Sequence, residues 1–191
     1  KYNMRKLCEE ALRDYSPTFA YKEIEGDNFS SATYVHPRVQ ILETEILLPN
    51  EKDLGLGIVT EVLNQGKRLN ICNFHGRWKP GDKRDTLERE EQSKRIIQYF
   101  SSVSGPKIIG GDFNLDIETE SVRMLEAAGY RNLIREYRVR TTRNRIAWEM
   151  YPETPQLHSD FIFVSPDVSV ASLEVPEIVI SDHLPMILNV N

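Results

Sequence analysis

The sequence predicts an α/β fold in which sheets containing both antiparallel and parallel strand pairs pack together and are flanked by helices. Three observations carry that reading. Strand-like runs outnumber helical ones, several neighbouring runs are joined by short turns, and helical segments intervene as crossovers between others. The 191 residues are 40% hydrophobic and 28% charged, enough to bury a substantial core and enough to exclude wholesale disorder.

Met4, Leu7, Cys8, Ala11 and Leu12 recur at helical spacing and predict an amphipathic helix ending between Asp14 and Pro17. Strand-like runs follow over 19–24, 31–35, 39–48 and 56–63, and Asn64-Gln65-Gly66-Lys67 reads as the turn into 68–75. Residues 85–101 carry Leu87, Ile96, Ile97 and Phe100 among many charges, which predicts a solvent-facing helix. The β-branched run from Lys107 ends in Gly110-Gly111 and predicts a buried strand. Val122, Leu125 and Ala128 predict another helix, closed by Gly129. Strands over 160–164 and 186–190, with a third near 168–175, finish the chain. No repeat, low-complexity stretch or Gly/Ser-rich linker divides it, so residues 1–191 read as one domain.

The formal charge of −5 argues against a uniformly basic nucleic-acid coat but leaves room for a local basic patch. No apolar run approaches the roughly 20 residues a membrane span needs, and no obligate protein partner is evident. Two cysteines, Cys8 and Cys72, are too few for a disulfide framework and point to a reducing compartment, hence a cytoplasmic location. The chain opens Lys1-Tyr2-Asn3, without an initiator Met or a signal pattern, and so reads as a piece starting inside a longer protein.

Chemistry-bearing residues sit at strand ends. Gly110-Gly111-Asp112-Phe113-Asn114 follows an apolar run, and a carboxylate and a carboxamide two residues apart point the same way. Two such oxygens suit a hard cation and a phosphate; an ordinary Asp/Asn turn is the plain alternative. Ser159-Asp160 heads the strand Phe161-Ile162-Phe163-Val164, where the carboxylate orients a water or merely caps the strand. Ser181-Asp182-His183-Leu184-Pro185 offers a carboxylate beside a group that titrates near neutral pH. His75, in Asn73-Phe74-His75-Gly76, closes another strand.

In chain order, Asn-x-His-Gly, Gly-Asp-Phe-Asn, Ser-Asp-Phe-Ile-Phe and Ser-Asp-His-Leu-Pro resemble the endonuclease/exonuclease/phosphatase superfamily, whose members include DNase I, exonuclease III, sphingomyelinases and inositol-polyphosphate 5-phosphatases. The resemblance spans nearly the whole chain. It implies a DNase I-like four-layer sandwich, two mixed β-sheets packed face to face and flanked by helices. It also implies Mg²⁺- or Mn²⁺-dependent hydrolysis of phosphodiester bonds by in-line attack of water, with a nuclease as the leading reading. Phosphatase or phospholipase-like action on inositol phosphates or lipid headgroups, or an inert binding member of the fold, are the alternatives. Residue by residue, it implies catalytic roles for His75, Asp112, Asn114, Asp160 and His183, and metal contacts for Asp182, Asp112 and Asn114. His75 occupies a position where DNase I and the sphingomyelinases carry a second histidine.

The pattern departs from the family at its start. The family's first strand and the following strand, which ends in a metal-binding Glu, have no counterpart, and Glu9-Glu10 lies inside the first predicted helix. The expectation is that both strands precede Lys1, that these 191 residues alone bind Mg²⁺ weakly and are inactive by themselves, and that they are poorly stable or pair through the gap.

Substrate contacts are read at Asn73, Trp78, Arg143 and Arg145. Residues 131–145 hold six arginines against Glu136, a charge of +5 against −10 for the remainder. Such a stretch either contacts a polyanion or pairs with the acidic surroundings. Trp148 and Tyr151 are further candidates for stacking on a base.

Overall fold

The computed structural model describes residues 4–24, 27–150, 152–153 and 155–191. Helix α1 (Met4–Ala11) forms where the apolar spacing places it, and the Arg5 guanidinium lies 4.3 Å from the centre of the Phe19 ring. Phe19 belongs to β1 (Ser16–Ile24), which pairs antiparallel with β2 (Asp27–Val35). Because side chains alternate along a strand, Ala20 faces the other way and packs against Leu56 and Ile58. The β1–β2 hairpin is therefore sandwiched between α1 and the main sheet.

That sheet begins as an antiparallel meander of β3 (Gln40–Leu47), β4 (Leu56–Asn64) and β5 (Lys67–His75). Asn64 pairs with Lys67, leaving a two-residue turn in which Gln65 and Gly66 have φ of 51° and 80°. Those left-handed values match the twist of the flanking strands. Helix α2 (Leu87–Ser102) carries the chain over to β6 (Lys107–Asp112), parallel to β5. There follow α3 (Glu120–Ala127), the two-residue β7 (Arg131–Asn132), α4 (Leu133–Glu136), α5 (Arg145–Met150), β8 (Asp160–Val164), β9 (Val170–Glu174) and β10 (Ile187–Val190). The six-stranded sheet runs β3-β4-β5-β6-β8-β7 and is mixed, with β5–β6 its parallel pair.

Strand alternation divides the core into two. Cys72, Phe74, Ile109, Phe161 and Phe163 face the helices and pack with Ile96, Phe100, Val122 and Leu125. Ile108, Ile162 and Val164 face the opposite way, against Val170, Leu173 and Leu188 of the β9–β10 pair. The layers are thus α1, the β1–β2 and β9–β10 pairs, the mixed sheet, and α2 with α3.

Three features differ from the sequence reading. The second sheet layer is not mixed: among the described residues it consists of two separate antiparallel pairs. The solvent-facing helix exposes Leu87 at 82% and turns Arg89, Gln92 and Ser93 inward beside Ile96 and Phe100. Finally β7, α4 and α5, of two to six residues, are too short to leave a periodic signature among the arginines.

Candidate active site

Strand register assembles the first part of the site. His75 pairs with Asp112 across β5–β6, and Asp112 with Asp160 across β6–β8, so three residues distant in sequence stand in one row at one end of the sheet. Gly111 lets the strands approach: its φ is +135°, and a Cβ there would lie 2.1 Å from the Phe74 carbonyl oxygen. No L side chain fits.

The final loop joins the row through residues 141–144. Thr142 Oγ1 accepts hydrogen bonds from the backbone N–H of Ser159 (3.1 Å) and Asp160 (3.2 Å), while its carbonyl accepts from Leu184 N–H at 2.8 Å. Arg143 and His183 form an isolated β-bridge. One short segment thus ties the head of β8 to the Asp182-His183 loop.

The result places His183 Nδ1 3.0 and 2.9 Å from the two Asp160 carboxylate oxygens. Its Nε2 faces Asp182 Oδ2 at 3.6 Å and Asp112 Oδ2 at 3.8 Å. Burial alone would lower the His183 pKa, but the hydrogen bond and charge of Asp160, aided by Asp112, raise it above its ordinary value. Burial raises the Asp160 pKa, and His183 works against that rise.

The other carboxylates are held in direction. Asp112 Oδ1 accepts from the Asn114 N–H at 2.8 Å and from the Ser159 hydroxyl. Asp182 Oδ2 accepts from Arg143 Nη2 at 2.7 Å, and the Arg143 side chain is only 5% exposed. Asn114 adopts φ of 56°, a left-handed conformation that Asn tolerates. Its amide nitrogen donates to the Gly76 carbonyl at 3.0 Å, and its amide oxygen accepts from Lys83 Nζ.

Lys83 is 6% exposed, and burial pulls its pKa down to about 8. It lines a pocket of about 130 Å³ with Asp112, Asn114, Arg143, Asp182 and His183, with Trp78 and Met150 among the other lining residues.

Of the residues singled out in the sequence, Asp112, Asn114, Asp160, Asp182, His183 and Arg143 come together here, and the exposed Trp78 lines the mouth. His75 shares the row, its Nδ1 3.4 Å from the Ser30 carbonyl oxygen. The Asn73 amide instead donates to the Ala32 carbonyl at 2.9 Å and so holds the β1–β2 hairpin. Arg145 is exposed on α5, 3.8 Å from Glu149 and outside the pocket lining. Arg131 pairs with Glu136 at 2.6 Å, and Arg135 with Glu118 and Glu126 at 3.0 and 3.1 Å, so much of the basic stretch is paired with neighbouring acids. Trp148 Nε1 donates to the Gln156 carbonyl at 3.3 Å; Tyr151 lies outside the described residues.

Sequence reasoning missed Lys83. In Gly81-Asp82-Lys83-Arg84-Asp85 it reads as one more solvated charge. The available signal was its position in the loop between the strand ending in His75 and the next helix.

The family model described as "Endonuclease/Exonuclease/phosphatase family" matches residues 18–183. The chain belongs to that family. Among solved structures, this family member resembles an endonuclease/exonuclease/phosphatase from Bacteroides vulgatus, with a TM-score of 0.78 at 17% identity over 99% of this chain and 80% of that one. A mannosyl-6-phosphatase from Bacteroides thetaiotaomicron aligns with a TM-score of 0.71 at 19% identity, over 97% and 80% of the two chains. D. rerio TDP2, complexed with a single-strand DNA product, gives 0.67 at 17%, over 98% and 81%. No curated protein sequence gives a significant match. Among the described residues, no helix is long and apolar enough to cross a membrane.

Proposed function

We propose that the chain is a divalent-metal-dependent phosphoesterase that cleaves its ester by direct attack of water, with no covalent protein intermediate. The observation that carries the reading is His183, backed by Asp160 on Nδ1 and facing Asp112 and Asp182 through Nε2. Asp160 favours the imidazolium, so Nε2 can hold a proton near neutral pH and hand it to a departing alkoxide.

The donor set fits a hard cation. Asp112, Asp160 and His183 each offer a ligand atom within 4.8 Å of the others, and Asp182 lies alongside. We assign the metal to Asp112 and Asp182, whose carboxylates both face His183 Nε2. Mg²⁺ or Mn²⁺ bound there would supply Lewis acidity and charge neutralisation at the phosphoryl oxygens. The chain's own groups keep those carboxylates aimed: Ser159 and the Asn114 N–H hold Asp112, and Arg143 holds Asp182.

A phosphate ester of nucleic acid, internal or terminal, is the substrate reading that the exposed Trp78 at the pocket mouth supports, since an indole there can stack on a base. A reducing, cytoplasmic setting belongs to the same proposal, supported by Cys8 and Cys72 being free.

Hydrolysis of bis(p-nitrophenyl) phosphate and p-nitrophenyl phosphate, with Mg²⁺ or Mn²⁺ and with chelator, tests the reading beside a His183→Ala control. Metal-dependent turnover lost in the variant is expected. Turnover of neither ester, or undiminished turnover in His183→Ala, overturns it.

A further inference from the structure

The charges lining the pocket are unequally matched. Arg143 donates to Asp182 at 2.7 Å, and His183 to Asp160 at 2.9 Å. Lys83 differs. Its one hydrogen-bond partner among the described residues is the neutral Asn114 amide oxygen, and none of their carboxylates lies within 4.0 Å of its Nζ. An ammonium carries three N–H donors, so two remain on a buried cation that lines the cavity. Burying a charge without an opposite partner is costly unless a ligand supplies one.

The loop is braced to hold it there. The Arg89 guanidinium, 1% exposed, donates to the carbonyls of Arg77 (3.4 Å), Asp82 (3.3 Å) and Arg84 (2.5 Å). The Lys83 carbonyl accepts from Asp116 N–H at 2.7 Å, and that of Gly81 from Gln156 Nε2 at 2.8 Å. Both flanks of Lys83 are fixed, so its side chain is presented rather than draped.

We propose that Lys83 is a phosphate-binding residue that contacts a non-bridging phosphoryl oxygen and biases this site toward a terminal, dianionic phosphate over the monoanionic phosphate of a diester. This rests on the phosphoesterase reading and narrows its substrate class. A second anionic charge meets a cation that no carboxylate pairs with directly, Asp112 and Asp160 acting on it only from beyond 4.0 Å, whereas Arg143 has its counter-charge in contact.

The test compares wild type with Lys83→Met, which keeps length without charge, and Lys83→Gln, which keeps an amide donor for Asn114. Both are assayed at pH 7 with p-nitrophenyl phosphate and its bis ester, alongside calorimetric binding of inorganic phosphate without metal. Loss of a charge-assisted bond predicts a fall of about 10- to 100-fold in kcat/KM for the monoester in both variants. The diester should lose less than about threefold, and phosphate binding should weaken in step with the monoester. An equal loss on both esters, or recovery in Lys83→Gln, would make Lys83 a positioning residue for Asn114 and overturn the proposal; so would unchanged phosphate binding. Wild-type protein inactive on both esters would instead sink the phosphoesterase reading, and the phosphate-binding comparison would still decide the role of Lys83.

Discussion

The two walls of the pocket are built differently. One is made of strand ends and the loop joined to them, where Asp112, Asp160 and His183 are set by register and by Thr142. The other is the 76–86 loop, which presents Trp78 and Lys83 with no regular structure until α2 begins at Leu87. Buried polar side chains from α2 hold it: Arg89 by its carbonyls, and Gln92 by the Arg77 N–H at 2.8 Å. Asp85, at its end, accepts from the N–H groups of Glu120 and Ser121 and so caps α3 in place of Thr119. A wall set by register tolerates the loss of one side chain without moving. A wall held by side-chain hydrogen bonds, those of the Arg89 guanidinium foremost, is more exposed to such a loss.

The largest expected effect is at the strand-end wall. Asp160→Asn should lower kcat by roughly 10²–10⁴-fold, because His183 loses the partner that favours its protonated form. In the same variant the His183 pKa should fall, read by NMR titration, while the melting temperature changes little. A His183 pKa that stays put would break the link between the pair and the chemistry.

Next comes Arg89→Met. Its carbonyl partners lose a charged donor in the interior, so about 2–3 kcal/mol of stability should go in urea unfolding. Activity should fall with the loop, whereas the His183 titration of the other wall should be retained. If both walls fail together, they are one cooperative unit and the contrast dissolves.

A smaller effect sharpens the contrast through pH. Lys83 has a folded pKa of about 8 against 10.5 when exposed, so between those values the unfolded chain holds a proton that the folded one has released. Stability should therefore rise with pH across that window, and the penalty is complete below pH 8. Lys83→Met should flatten that rise and be at least as stable as wild type at pH 7, checked by urea titration at pH 7 and 9.5. The smallest effect is expected for Arg145→Ala, exposed and loosely paired with Glu149, where activity should change by less than about twofold.

The same division governs what could be read from the chain beforehand. Strands that are short continuous apolar runs, such as 160–164, and the turn at Gln65-Gly66 were legible because their signals are local. The motifs at 112–114, 160 and 182–183 were legible because each closes or opens an apolar run. The inward turn of Arg89 and Gln92, with Leu87 left exposed, was not legible because charged residues are spread along the whole of 85–101. The arginines of 131–145 could not be sorted by composition: Arg143 is buried on Asp182, whereas Arg145, two residues on, faces solvent.

By itself the sequence determined the α/β class, most strand positions and the residue types available for phosphoryl chemistry, because periodicity and turn chemistry act over a few residues. Only the tertiary structure decided that His75, Asp112 and Asp160 share a row, that Asp160 reaches His183, and that Lys83 points inward with no carboxylate in direct contact. Those outcomes depend on strand order and on hydrogen bonds between residues 23 to 75 positions apart, to which no local pattern is sensitive.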